Sequence, residues 1–140
     1  MTSPDINRIT LSIQQPWAEL ILRGIKTLEV RSQNTNVRGL IYLYTSKKLA
    51  TSKEAIAAAS QYDINTDALP TGMVVGTVEL FDVTLAKKKH AKEACLSRTS
   101  FKENVHYVWH LKNPDHFVDP IKAKYVPYGV WFYPFQRKKN

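Results

Sequence analysis

The chain has few of the residues and segments that define several large classes of protein. Of its 140 residues only Cys95 is a cysteine, which excludes an internal disulfide and a cysteine zinc cluster. No segment approaches the roughly 20 apolar residues that a membrane span requires, and residues 1–5 show no basic region leading into an apolar stretch. These absences predict a protein of the reducing cytoplasm that contacts no membrane.

Motifs for metal binding and nucleophilic catalysis are absent as well. Among the four histidines, His106 and His110 are four positions apart, but the residues between them favour a strand, where they would lie about 13 Å apart and could not share a metal. The sequence contains no His-Glu-x-x-His run, no acidic calcium loop and no phosphate-binding Gly-x-x-x-x-Gly-Lys motif. No serine or cysteine lies in a nucleophile elbow. We therefore expect neither a metal nor a cofactor.

Positive charge, by contrast, is plentiful and unevenly distributed. The net charge is +8, and residues 71–140 hold twelve basic and six acidic side chains, against eight and six in residues 1–70. The excess is concentrated in the C-terminal tail 136–140 and in a run that contains Lys87, Lys88, Lys89 and Lys92. Such a surplus attracts polyanions through counterion release, which favours RNA or another single-stranded nucleic acid as partner. The alternative is a solvated, solubilising face.

The length of the chain and its local patterns predict one small domain of mixed architecture. Hydrophobic patterns predict strands at 9–14, 27–32, 40–45, 73–85, 105–112 and 130–135, and helices at 16–23, 51–62 and 86–98, the second opened by a capping box at 51–54. Strands and helices do not alternate regularly, which argues against a doubly wound sheet. The pattern predicts an α+β fold, a mixed β-barrel of five to six strands with short flanking helices.

The run 24–31 carries charges on a segment that otherwise has the pattern of a strand. Because successive side chains of a strand point to opposite faces, Leu28 and Val30 are expected to face the core, while Glu29 and Arg31 face the other way. A short helix that Gly24 can end precedes this segment. The polar face of the strand therefore begins directly below a helix and predicts a pocket wall.

Three segments together resemble a known family: LSIQQPWAELILRGIKTLEVRS at 11–32, RGLIYLYTSKK at 38–48 and GMVVGTVELFDV at 72–83. They resemble the ASCH family of the PUA-like superfamily, whose Gly-x-Lys-x-x-Glu-x-Arg signature falls on Gly24, Lys26, Glu29 and Arg31. The resemblance implies a single ASCH/PUA-like domain over residues 1–140, with its core at about 9–135. It also implies a small β-barrel with a cleft suited to RNA or a nucleobase.

Several residues are expected to border that cleft. Glu29 could accept from a base amino group, while Lys26 and Arg31 could bind a phosphate or a carbonyl. The alternative is a surface ion pair between Glu29 and Arg31, worth less than about 1 kcal/mol. Trp17 is either core or the stacking wall of a base pocket. The complete expected set is Gln15, Trp17, Lys26, Glu29, Arg31, Ser46, Lys47 and Trp131.

The last three members of that set lie outside the signature. Ser46 and Lys47 follow an apolar strand and could hold a phosphate, or they could form a polar loop that leads to the next helix. Trp131 is expected to contact the cleft because the family has a bulky residue near this position. Its alternative is a place in the barrel core.

These features predict an RNA- or nucleotide-binding module that reads a base, modified or not. One alternative is a hydrolase, because a branch of ASCH-like proteins hydrolyses acylated cytidine with a Lys, a Thr and a Glu. Lys26 matches that Lys, but Glu29 occupies the Thr position, and the nearest counterpart of the catalytic Glu is around Glu93. A carboxylate does not simply replace a hydroxyl nucleophile or proton relay, so Lys26 and Glu29 are only candidates and no turnover is expected.

Two further alternatives remain open at the level of the sequence. Ribonuclease activity, suggested for other relatives of this family, could rest on the same charged residues. The third class of function is a protein-interaction module whose basic face meets an acidic partner.

Overall fold

One curled, mixed sheet of six strands organises the chain in the computed structural model, which describes residues 3–137. The elements are β1 (Thr10–Ile13), α1 (Trp17–Leu22), β2 (Leu28–Arg31), β3 (Gly39–Thr45), α2 (Lys53–Gln61), β4 (Met73–Leu85), β5 (Tyr107–Lys122) and β6 (Trp131–Phe132). The spatial order of the strands is β2-β5-β4-β3-β1-β6, and every pairing is antiparallel except that of β1 with β3. The prediction of a mixed β-barrel with short flanking helices is confirmed as a half-barrel with two short helices.

The two helices begin and end where local chemistry allows. Gln15 Oε1 accepts the Glu19 N–H at 2.9 Å in the first turn of α1, and Gly24, at a φ of 75°, follows the end of that helix. The hydroxyl of Ser52 caps α2 by accepting the Ala55 N–H at 3.1 Å. The cap of α2 is thus one residue later than the predicted Thr51.

The main core lies between the inner face of the sheet and α1. Gly76 on β4 marks the closest approach, because a Cβ there would lie 2.3 Å from the Asp115 carbonyl oxygen and 2.7 Å from a methyl carbon of Leu22. Only glycine lets α1 pack so closely on β4 and β5. The residues buried around this contact include Leu11, Ile13, Ile21, Ile41, Leu43, Val75, Val78, Leu80, Trp109 and Leu111.

The predicted basic helix at 86–98 is wrong. The chain forms only a 3-10 turn at Lys88–His90 and then continues through hydrogen-bonded turns, with Cys95 at a positive φ of 58°. The Glu93 carbonyl accepts the backbone N–H groups of Thr27 and Leu28 at 3.0 and 3.2 Å. This segment therefore bonds to the start of β2 in addition to its own short turns, and tertiary contacts override its helix propensity.

The end of the sheet also differs from its prediction. β5 continues to Lys122, well beyond the predicted end at residue 112, whereas the last strand is shorter than predicted. Pairing of β5 with β4 runs from Tyr107 to Lys122 but is interrupted at 113–114 and 117–120, and these interruptions contain Pro114 and Pro120, which cannot donate to a ladder. Among residues 3–137, no helix has the length and apolar character needed to cross a membrane.

Candidate functional site

A cluster of three charged side chains, two of them buried, lies along β2 and the turn before it. Glu29 Oε2 accepts the Arg31 Nε–H at 2.7 Å, and Glu29 Oε1 lies 3.5 Å from Lys26 Nζ. Lys26 Nζ also donates to the Ala94 carbonyl oxygen at 2.5 Å. The Lys26 side chain is only 2% exposed, so this cluster is far from the solvated surface pair that the strand pattern alone left open.

The local fold places Lys26 inside the protein. Gly24 ends α1, and the Lys26 N–H then donates to the Leu20 carbonyl at 3.1 Å, which turns the chain back beneath the helix. The ammonium group consequently lies 4.8 Å from the ring centre of Trp17 on α1. On the neighbouring strand, Trp109 pairs with Glu29 and lies under the Arg31 guanidinium at 5.5 Å.

The cluster opens into a cleft of about 420 Å³. One wall is the turn before β2 together with β2 itself, and the other is the segment 96–106 with the first residues of α2. This arrangement puts Glu29 and Arg31 on a concave surface beside Trp17, while Leu28 is buried on the opposite side. The lining residues are Trp17, Lys26, Glu29, Val30, Arg31, Ser32, Ser52, Glu54, Leu96, Ser100, Phe101 and His106.

Burial changes the acid-base properties of two groups here. Burial lowers the pKa of the Lys26 ammonium, and the nearby Glu29 carboxylate only partly opposes that effect. Burial also raises the pKa of the Cys95 thiol, while the charge of Lys26 opposes the shift. A lysine of lowered pKa beside a carboxylate is a group that can bind an anion or exchange a proton.

The second wall contributes polar groups that the sequence did not point to. His106 Nδ1 accepts the Lys102 N–H at 2.7 Å, so the proton of the neutral ring lies on Nε2. The Ser100 hydroxyl donates to Glu54, whose helix begins at the cleft. The sequence analysis considered His106 only as half of a possible metal-binding pair, which it rejected. The 80 positions between His106 and Lys26 leave no local signal that the two line one cleft.

Four of the predicted ligand-binding residues do not line the cleft. Gln15 is 1% exposed and is held by the Pro70 carbonyl and the Glu19 N–H at 3.2 and 2.9 Å. Ser46 and Lys47 lie in the loop after β3, outside the cleft lining. Trp131 stacks on Trp109 with ring centres 5.6 Å apart, so it meets the site only through that ring.

The lysine run divides into tethered and exposed members. Lys87 donates to Asn104, and Lys88 donates to the carbonyl of Arg98. Lys89 and Lys92 are exposed and line a second cleft of about 480 Å³. The part of the predicted basic tail at 138–140 lies outside the described residues.

A third cleft joins the other two. It has a volume of about 360 Å³ and shares Glu54 and Leu96 with the site and Lys92 with the lysine-lined cleft. The three clefts thus adjoin one another around the segment 91–101. In the part of the chain that the structure describes, no group of three or more His, Cys, Asp or Glu side chains is placed to hold a metal.

The half-barrel with its two short helices is the PUA-like α+β fold, a fold associated with RNA binding. Residues 11–121 match the family model described as ASCH domain, and the chain belongs to that family. The family that the sequence resembles is thereby confirmed.

Solved structures agree with this assignment at the level of the fold. The ASCH protein from Zymomonas mobilis superposes with a TM-score of 0.62 at 17% identity, over 92% of this chain and 88% of that one. A serine-to-alanine mutant of the same protein gives a TM-score of 0.61 at 17% identity, over 94% and 90%.

Two curated proteins are similar in sequence. Activating signal cointegrator 1 from Homo sapiens is 31% identical over 137 residues, and the protein of the same name from Mus musculus is 30% identical over 128 residues. Each match covers 86% of this chain and 21% of the relative. The chain therefore spans about one fifth of the length of these relatives.

Proposed function

We propose that the chain binds single-stranded RNA, or a nucleotide-like ligand, in the cleft beside β2. The observation that carries this proposal is the Lys26–Glu29–Arg31 cluster, in which Lys26 and Glu29 are buried although all three residues line an open cleft. Buried charges are costly to maintain for stability alone. A concave site that converges charged groups of both signs is suited to a ligand with an anionic backbone and polar base edges.

Each cleft residue has a distinct role in this proposal. Arg31 is 24% exposed, and its Nε is held by Glu29, so its outer N–H groups can bind a phosphate or a base carbonyl. Glu29 accepts from a base amino group, and His106 offers its Nε2–H as a fixed donor. Leu96 supplies apolar surface against which a base can lie.

In this proposal the ligand's phosphate backbone extends from the site toward Lys92 and Lys89. Both lysines are exposed and line the lysine-lined cleft, and Lys92 also lines the third cleft, which adjoins the site. Each phosphate that they neutralise releases counterions, which adds affinity without base preference. In this proposal the residues that contact the base line the site, and the lysines that attract the phosphate backbone line a neighbouring cleft.

The proposal is tested with labelled ten-residue RNA of mixed sequence and fluorescence anisotropy. Arg31→Gln should weaken binding about tenfold or more, because a charge-assisted hydrogen bond contributes about 1.5–3 kcal/mol. Arg38→Gln is the matched control, since it removes the same charge from an exposed arginine that donates to the Thr35 and Val37 carbonyls and lies outside the cleft lining. Equal losses of RNA affinity in the two variants would contradict binding in the cleft.

A second candidate function is hydrolysis of an acylated nucleoside or of RNA. The observation that favours it is Lys26, whose pKa is lowered by burial and which lies beside Glu29 in the cleft. We expect no turnover of an acetylated cytidine or a short RNA by the pure protein, followed by chromatography. Multiple turnovers that disappear in a folded Lys26→Met variant would make the hydrolase the better assignment.

A further inference from the structure

A second groove lies on another part of the sheet, with no residue in common with the candidate site. It has a volume of about 510 Å³ and lies between the N-terminal segment, β3, β4 and the far half of β5. Its floor contains Tyr42 and Thr77, and its outer side is the stretch 115–121 of β5. None of the residues proposed to bind RNA lines this groove.

The surface of this groove is unusually apolar for an exposed sheet. Val118 is 95% exposed and Leu40 is 45% exposed, and both line the groove together with the partly buried Phe117 and Ile121. Single exposed apolar residues are common on protein surfaces, but several that converge on one concavity mark a contact surface.

The charges around the groove have the opposite sign to those of the chain. Asp5, Asp115 and Asp119 line it, against a single arginine, Arg8, in a chain of net charge +8. Arg8 is already engaged, with Asp5 at 3.6 Å and the ring of Tyr42 at 5.0 Å. Within residues 3–137, Asp115 and Asp119 have no ion-pair partner. The rim of the groove therefore presents two uncompensated carboxylates on either side of Val118.

We propose that this groove docks a basic, apolar segment of a partner protein, with lysine or arginine side chains on Asp115 and Asp119 and an apolar side chain against Val118 and Leu40. The sign of the charge argues for this occupant. A chain of net charge +8 repels cations at long range, so a cationic segment is held only where the local charge is reversed. The same charge argues against an RNA strand, which the carboxylates repel.

The docking surface is tested by nuclear magnetic resonance with ¹⁵N-labelled protein. The probes are two degenerate pools of ten-residue peptides, one built from Lys, Arg, Leu, Val and Phe, and the other with Asp and Glu in place of Lys and Arg. The basic pool should shift the backbone amides of Asp115, Val118 and Ile121, and the acidic pool should not. Shifts confined to other regions, or no shifts with the basic pool, would overturn the proposal.

Variants then separate the groove from general charge effects. Asp115→Asn with Asp119→Asn should weaken binding of the basic pool about fivefold or more, as expected for the loss of two exposed ion pairs. The matched control is Asp63→Asn with Asp67→Asn, which makes the same change in charge at exposed positions outside the groove. Equal losses in both pairs would contradict specific docking.

A second copy of the chain is the other possible occupant. Sedimentation analysis of the wild-type protein should show a monomer across the concentrations used. Self-association that Val118→Ser abolishes would assign the groove to a dimer and overturn the proposal. RNA binding should be unchanged in all of these variants, so a failure of this proposal is distinguishable from a failure of the proposed function.

Discussion

Two buried glutamates, Glu19 and Glu29, are each held between two basic side chains; Glu29 lines the cleft beside β2, whereas Glu19 lines none of the clefts described above. Glu19 accepts from Arg23 Nε at 2.7 Å and lies 2.9 Å from His116 Nε2. Glu29 accepts from Arg31 at the same 2.7 Å, and its side chain has the same 9% exposure as that of Glu19. The composition and geometry of the clusters are thus closely matched.

The surroundings of the two clusters differ, and this difference distinguishes a structural cluster from one at a candidate binding site. The side chains of Arg23 and His116 are 42% and 38% exposed. Arg23 follows α1 and pairs with Glu19 in that helix, whereas His116 links Glu19 to β5. Lys26, by contrast, is almost fully buried, while its partners line the cleft. A buried glutamate between two bases is therefore not evidence of a binding site by itself. Whether the charged side chains line a cleft distinguishes a candidate binding site from a structural ion pair.

The largest effect expected in this comparison is a loss of stability when Glu29 is replaced. Glu29→Gln leaves Lys26 and Arg31 without their counter-charge, and the free energy of unfolding should fall by about 3 kcal/mol. Glu79→Gln is the control, because Glu79 pairs with Lys112 at 3.8 Å on the surface and should cost less than about 1 kcal/mol. Urea denaturation measures both. Similar losses would mean that the cluster beside the cleft is as solvated as a surface pair.

Glu19 is expected to contribute less, and in a pH-dependent way. Burial acts to raise the pKa of the Glu19 carboxyl, but hydrogen bonds from Arg23 and His116 outweigh it and lower the pKa below its ordinary value of 4.5. The stabilisation is therefore present above pH 4.5 and is lost as pH falls through the lowered pKa of the folded state. Glu19→Gln should cost about 2 kcal/mol at pH 7 and clearly less at pH 3.

Urea denaturation at the two pH values checks this expectation, with the exposed Glu93→Gln as control. RNA affinity should be unchanged in Glu19→Gln, whereas Glu29→Gln should change the preference among bases. A shift of base preference in both variants would break the distinction between the two clusters.

A pair of histidine variants tests the same distinction with a smaller effect. His106→Gln alters the fixed donor at the cleft and should weaken RNA binding about fivefold, the size of one neutral hydrogen bond of about 1 kcal/mol. His116→Gln alters the partner of Glu19 and should leave RNA binding unchanged. Anisotropy titrations at pH 8 measure both. Loss of binding in His116→Gln alone would reverse the assignment of the clusters.

The smallest expected effect is on the salt dependence of binding. Lys89→Gln with Lys92→Gln should reduce the slope of log affinity against log salt by about 1.4, because each phosphate on a single strand contributes about 0.7. Lys122→Gln with Lys124→Gln is the matched control, because both lysines are exposed and line none of the three adjoining clefts, and it should leave the slope unchanged. A larger change in the control pair would place the phosphate backbone outside those clefts.

The sequence predicted one wall of the cleft because the signal is local. Strand alternation over Leu28, Glu29 and Arg31 and the helix-ending Gly24 all lie within eight positions, so periodicity separates the buried Leu28 from the two cleft residues. Val30, predicted to face the core, is only partly buried and also lines the cleft. The ligand-binding roles that the sequence analysis assigns, including those of Gln15, Ser46, Lys47 and Trp131, stay predictions.

The other wall could not be predicted for a physical reason. The alanine- and lysine-rich segment after β4 has local helix propensity, but its Glu93 carbonyl is bonded to the amides of β2. His106 and Ser100 reach the cleft only because that long-range contact forms. Local propensity carries no information about it, and the prediction of a helix there was wrong for that reason.

The positions of the tryptophans should allow ligand binding in the cleft to be followed by intrinsic fluorescence. All three tryptophans of the chain contact the charged cluster or one another: Trp17 lies beneath Lys26, Trp109 lies beneath Arg31, and Trp131 stacks on Trp109. Indole emission is quenched and shifted by nearby charge and by stacked bases. Intrinsic fluorescence of the unlabelled protein should therefore follow occupancy of the cleft, with no background signal from a distant tryptophan.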